Sequence, residues 1–126
     1  MDKNILIVED EESIRNLLVK IVATLDLVPD TASNGQEGYD LFTKNKYDLI
    51  ITDMKMPVMN GRDMIKKIRD DESGRNTPLI ILSAYISIVE VKDLLEVGAT
   101  YFLNKPIEMD DLIEYIQKCL DIPESE

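Results

Sequence analysis

Short apolar runs and stretches with helical spacing alternate along the whole chain. Asn4 to Val8, "NILIV", is a continuous apolar run, the pattern of a strand buried on both faces. Glu12 to Leu25 then places Ile14, Leu17, Leu18, Ile21, Val22 and Leu25 at helical spacing, which predicts a helix with those six in the core. "LVPDTAS", Leu27 to Ser33, reads as a weak strand. Its Pro29 cannot donate to a ladder, so the strand is expected at a sheet edge. A short helix over Asn34 to Asn45 follows, capped by Ser33 or Asn34. "DLIIT", Asp48 to Thr52, is the third strand. Gly61 to Asp71 is the next helix, with Met64, Ile65 and Ile68 on one face. A loop closed by Pro78 leads into a fourth strand ending at Ser83. Ser87 to Gly98 is a helix with Gly98 at its C-terminal stop. Thr100 to Asn104 is the fifth strand. Met109 to Leu120 is the last helix, with acids in its first turn and Leu112, Ile113, Ile116 and Leu120 periodic. The residues after it, "DIPESE", are expected to fray.

Alternation of this kind implies an α/β fold with a parallel sheet and right-handed crossovers. The 126 residues are the size of one domain that buries a core without disulfides or metal staples. The domain is expected over residues 1–121, with 122–126 a tail or the start of a linker. A formal net charge of −11 repels phosphate backbones and anionic lipid, which argues against direct binding to nucleic acid or a membrane surface. The single cysteine, Cys119, excludes an internal disulfide and fits a reducing cytoplasm; at its helical position it reads as a small packed hydrophobe. No signal peptide pattern opens the chain. Its greasiest later stretch, Leu79 to Val91, falls short of the roughly 20 residues a membrane helix needs. There is no histidine, so a histidine zinc site, a Ser-His-Asp triad and a Cys-His dyad are excluded. Chemistry here must rest on carboxylates, lysine and hydroxyls.

In a parallel α/β sheet the site lies beyond the carboxyl ends of the strands, so the residues that end each run matter most. The first run ends in Glu9-Asp10, the third in Asp53, the fourth in Ser83 and the fifth in Asn104-Lys105-Pro106. On neighbouring strands these place three carboxylates, a hydroxyl and one ammonium at one mouth. Like charges about 4 Å apart repel by roughly 4 kcal/mol at an effective dielectric of about 20. A hard divalent cation relieves that repulsion, and an all-oxygen site suits Mg²⁺. Each residue also has an ordinary reading. Asp10 alone is as good a helix cap as a ligand, Asp53 a turn residue before Pro57, Ser83 a small strand end, and Lys105-Pro106 a turn. Those readings leave unexplained why such residues fall at successive strand ends.

The chain resembles response-regulator receiver domains over essentially its whole length. The resemblance is carried by "ILIVED", "DMKMPVMNG", "IILSA" and "GATYFLNKP", in this order and spacing. It implies a flavodoxin-like (βα)5 sandwich with strand order 2-1-3-4-5, which puts the Pro29 strand at an edge. It implies that Asp53 accepts a phosphoryl group from the histidine of a partner kinase or phosphotransfer protein. Mg²⁺ is implied on Asp10 and Asp53, on the Lys55 backbone carbonyl, and on Glu9 directly or through water. Lys105 and Ser83 would contact phosphoryl oxygens, with the Ala84 amide assisting. Pro57 and Gly61 would shape the loop below Asp53, and the Lys105-Pro106 bond would be cis. By position Phe102, beside Tyr101, is the aromatic that turns inward on activation. Its ordinary reading is core packing. The output surface would be the fourth helix, fifth strand and fifth helix, serving an effector or a homodimer. Ile86, Ile88 and Val91, with Tyr101, are expected at such a contact face. Lys55 and Tyr85 would border the path of hydrolytic water and slow dephosphorylation. The resemblance implies no enzyme activity beyond Mg²⁺-dependent self-phosphotransfer and autodephosphorylation.

Three rivals are weaker. A haloacid-dehalogenase-like phosphatase wants a second aspartate where Lys55 stands. A flavodoxin-like cofactor module wants a glycine-rich loop where "VEDEES" stands. A receiver working without phosphorylation would not need every one of these positions filled.

Overall fold

The computed structural model describes residues 3–84 and 87–122. The elements alternate: β1 (Ile5–Val8), α1 (Glu12–Ala23), β2 (Asp30–Ala32), α2 (Gly35–Lys44), β3 (Leu49–Asp53), α3 (Gly61–Asp70), β4 (Leu79–Ser83), α4 (Ile88–Val97), β5 (Tyr101–Asn104) and α5 (Met109–Leu120). All strand pairs are parallel, and the sheet order is β2-β1-β3-β4-β5. This is the expected doubly wound sandwich, with the Pro29 segment at an edge. The strand there is only Asp30–Ala32, because Pro29 offers no N–H to the ladder.

Strand side chains alternate in direction, and both sheet faces are covered. Ile5, Ile7, Leu49, Ile51, Ile80 and Leu82 pack in one layer with Leu18, Ile21 and Val22 of α1 and Leu112, Ile116 and Leu120 of α5. Leu6, Val8, Ile50, Leu79 and Ile81 pack in the other with Phe42 of α2, Met64, Ile65 and Ile68 of α3 and Leu94 of α4. Each such side chain contributes about 1.5–3 kcal/mol by leaving water. The central strands therefore carry no charge until their last residue.

Three expectations are corrected or refined, and one element is new. Leu17, expected in the core, is 45% exposed, since it lies at the rim of the α1 stripe whose centre is Leu18, Ile21 and Val22. The N-cap of α1 is Glu11 and has no side-chain cap bond, so Asp10 is not a helix cap. Between the two candidates for α2, Asn34 is the cap: its Oδ1 accepts from the Glu37 N–H at 2.9 Å. Ser33 instead donates to the Glu37 carboxylate at 2.6 Å. Finally, a 3-10 turn over Glu72–Gly74, not anticipated, precedes β4.

Candidate functional site

Period-two alternation explains how three charged residues meet. Glu9 follows Ile5 and Ile7 in its row, Asp53 follows Leu49 and Ile51, and Lys105 follows Tyr101 and Leu103. Each is the next residue to point toward the α1–α5 layer, one step beyond the apolar rows. Ser83 ends the opposite row, after Leu79 and Ile81. At the end of β3 the α3 N-terminus comes close. The Gly61 N–H donates to the Met54 carbonyl at 2.8 Å. A Cβ at Gly61 would collide with the Asp53 backbone carbonyl, so glycine is required there.

Asp10, Glu11, Asp53, Lys55, Ser83, Ala84 and Lys105 line a cleft of about 200 Å³. Lys105 Nζ lies 3.0 Å from Glu9 Oε1 and 3.3 Å from Asp53 Oδ1. Asp53 Oδ1 also accepts the Met54 N–H at 2.8 Å. Its second oxygen has no hydrogen-bond partner among the described residues. Glu9 is fully buried, and both its carboxylate oxygens are engaged: Oε1 by Lys105 and Oε2 by the Glu11 N–H at 3.1 Å. Burial pushes the Glu9 carboxyl up to about 7, against the pull of its Lys105 and Glu11 hydrogen bonds, with the nearby charge of Asp53 adding to the rise. Burial works against the Lys105 charge. Its hydrogen bond to Glu9 and the charge of Asp53 outweigh that and hold it above the usual lysine value.

One ligand oxygen each from Glu9, Asp10 and Asp53 lie within 4.8 Å of one another. One ammonium faces these three acids, and Asp10, exposed beside them, has no ion-pair partner among the described residues. Such an all-oxygen set fits a hard divalent cation. The sequence-expected residues Glu9, Asp10, Asp53, Lys55, Ser83 and Lys105 are thus brought together. The Lys105-Pro106 peptide is cis, as expected. Phe102 is half-buried and packs against the layer that contains Leu94 and Ala99. Tyr101 lies on the other face and stacks on Tyr115, with ring centroids 4.4 Å apart. Ile88 is 88% exposed. The expectations for Tyr85 and Ile86 fall outside the described residues. One residue of the site's surroundings was missed from the sequence: Arg15 of α1 donates through Nη1 to the Glu9 carbonyl at 2.8 Å.

The sequence model of the response regulator receiver domain matches residues 5–117. The chain belongs to the response regulator receiver domain family. It is 31% identical to the sporulation initiation phosphotransferase F of Bacillus subtilis over 122 residues, 97% of each chain. Several other curated relatives, among them the regulatory protein AtoC of Escherichia coli and the response regulator ArlR of Staphylococcus haemolyticus, are longer, and the chain spans 25% and 52% of the length of these two. Among solved structures, the chemotaxis protein CheY4 of Vibrio cholerae superposes with a TM-score of 0.89 at 30% identity, covering 95% of this chain and all of that one. The receiver domain of the sensor histidine kinase PA1611 of Pseudomonas aeruginosa superposes at 0.88 and 25% identity, covering 96% and 99% of the two chains. That protein holds a magnesium ion in its active site cleft. The receiver assignment places this chain in two-component signalling, in which receivers serve as phosphoacceptors and histidine kinases are the general partners. No described helix is long and apolar enough to cross a membrane.

Proposed function

We propose that Asp53 is the phosphoacceptor of this receiver and that Mg²⁺ is its cofactor. The observation that carries this reading is the Asp53 carboxylate lining the cleft, with one oxygen tied to Lys105 and Met54 and the other without a hydrogen-bond partner among the described residues. That second oxygen attacks the phosphorus of a phosphohistidine on a partner kinase or phosphotransfer protein. The P–O bond to Asp53 forms as the P–N bond breaks, and the departing imidazole keeps the electron pair and takes up a proton. Asp10 and Asp53 would hold Mg²⁺ with the Lys55 backbone carbonyl, and when bound the ion neutralises charge on the transferred oxygens. Glu9, with both oxygens occupied, fits a role through water and through Lys105. Lys105 steadies phosphoryl charge, and Ser83, buried at the cleft wall, donates to a phosphoryl oxygen. The rigid β3 strand holds Asp53 in line for attack.

In this reading the chain is an acceptor of a single phosphoryl group and an autodephosphorylating switch, not a turnover enzyme. Its setting is the cytoplasm. Phosphorylation shifts Ser83 and Phe102 and re-biases the surface of α4, β5 and α5 toward an effector or a second copy. The test is peptide mapping after treatment with acetyl phosphate and Mg²⁺. The label is expected on the peptide that contains Asp53. A label on any other aspartate would overturn the assignment.

A further inference from the structure

Asp10 is the one exposed carboxylate of the three, and its own side chain makes no hydrogen bond or ion pair to the described residues. Its backbone is therefore what restrains where it can point. A peptide unit is planar, so a hydrogen bond to one of its polar groups restrains the orientation of the whole unit. The unit before Asp10 carries the Glu9 carbonyl, which accepts from Arg15 Nη1 at 2.8 Å. The unit after Asp10 carries the Glu11 N–H, which donates to Glu9 Oε2 at 3.1 Å. The arrangement closes on itself, because the Arg15 backbone N–H donates to the Glu11 carbonyl at 2.9 Å. Glu9 is anchored in turn at its N–H by the Ala32 carbonyl at 3.0 Å and at Oε1 by Lys105. Both peptide planes beside Asp10 are thus pinned, one by a guanidinium and one by a buried carboxylate.

We propose that Arg15 and Glu9 are positioning residues that clamp the two peptide planes beside Asp10 and so aim its carboxylate for a divalent cation. This rests on the metal reading above, but concerns a different residue. Glu9 acts as frame more than as ligand. Arg15, a cation near a cation site, is retained for its geometry and against its charge. The sign of the effect separates geometry from charge. Removing a positive charge near a bound cation strengthens binding by Coulomb's law. Removing an outer-shell positioning group weakens it, typically by 10–100-fold.

The experiment is calorimetric titration of Mg²⁺ into the full chain, with unfolding of each metal-free protein followed by circular dichroism. Arg15→Ala is expected to bind Mg²⁺ about 10-fold more weakly than the parent. Arg15→Lys, which keeps a long donor, is expected to recover most of that loss. Should Arg15→Ala be too unstable to titrate, Arg15→Gln carries the same comparison, since it also loses the charge. Equal or tighter Mg²⁺ binding by the folded neutral variant overturns the proposal. A lowered melting temperature with an unchanged dissociation constant also overturns it, because that is the signature of a merely structural arginine. A parent that binds no Mg²⁺ at all would instead defeat the underlying metal reading.

Discussion

Val58 holds a backbone φ of +68° although it is β-branched and 82% exposed. The Met59 N–H donates to the Pro57 carbonyl across it at 2.7 Å, a three-residue turn in the loop that leads away from Asp53. Such a conformation costs on the order of 1–3 kcal/mol in a residue with a branched Cβ. Glycine relieves that and gives back about 0.5–1 kcal/mol in chain entropy. Val58→Gly is therefore expected to stabilise the chain by about 1 kcal/mol, and urea unfolding would show it; a loss of stability would mean that the side chain packs on the loop after all. Tyr47 tests a different balance. It is buried, and its hydroxyl donates to Asp30 at 2.7 Å. Burial first, and then Asp30, raise its pKa well above the ordinary tyrosine value. The folded chain then keeps this proton while the unfolded chain loses it from about pH 10 upward. Stability is untouched below that pH and falls as pH rises above it. In an absorbance titration one of the five tyrosines should ionise later than the others. Tyr47→Phe should remove that late step and cost about 1 kcal/mol at neutral pH. A late step that survives the substitution would refute the assignment.

Helix α4 is the least embedded of the five helices among the described residues. Among its described residues only Leu94 is buried, and Ile88, Val89 and Leu95 face solvent. Two arginines of α3 hold it in place of a broad apolar face. Arg62 forks onto Asp93 at 2.6 and 3.2 Å, and Arg69 donates twice to the Gly98 carbonyl and once to Gly74. Gly98 ends the helix at φ +122°, where a Cβ would meet the Arg69 guanidinium. An element with few buried apolar contacts opens more readily than one buried on a full stripe. Hydrogen exchange is expected to be faster in α4 than in α3. Asp93→Ala should speed it further in α4 while leaving β3 unchanged. Gly98→Ala should lower stability by about 2 kcal/mol through the forced left-handed backbone. Equal protection across α3 and α4 would contradict this picture. An easily opened α4 is also what a switch surface at α4, β5 and α5 needs.

At the scale of the whole molecule, the parts legible in the sequence are those fixed by burial. The runs Ile5–Val8, Leu49–Thr52 and Leu79–Leu82 read as strands of one parallel sheet, so the polar residues that end them were expected at one end of it. Asp53 could be placed from that alone; Lys105 follows the half-buried fifth strand, and its meeting with Asp53 rested on the strand order that the family resemblance implied. Pro29 marked an edge for an equally local reason. What stayed hidden depends on three-dimensional direction. Leu17 fits the helical period but lies at the rim of its stripe. Asp10 stands where a cap would stand, yet the helix begins one residue late and leaves it facing the cleft. Arg15 reads as a solvated helix arginine until its reach to the Glu9 carbonyl is seen. In the proposed reading this sandwich presents one carboxylate, Asp53, for phosphorylation. The decisive experiment is an intact-mass measurement after treatment with phosphoramidate, with Mg²⁺ and with the metal chelated. One phosphoryl group per chain is expected, formed only with Mg²⁺ and absent from Asp53→Asn. A full label on Asp53→Asn, or one formed equally without Mg²⁺, would contradict that reading.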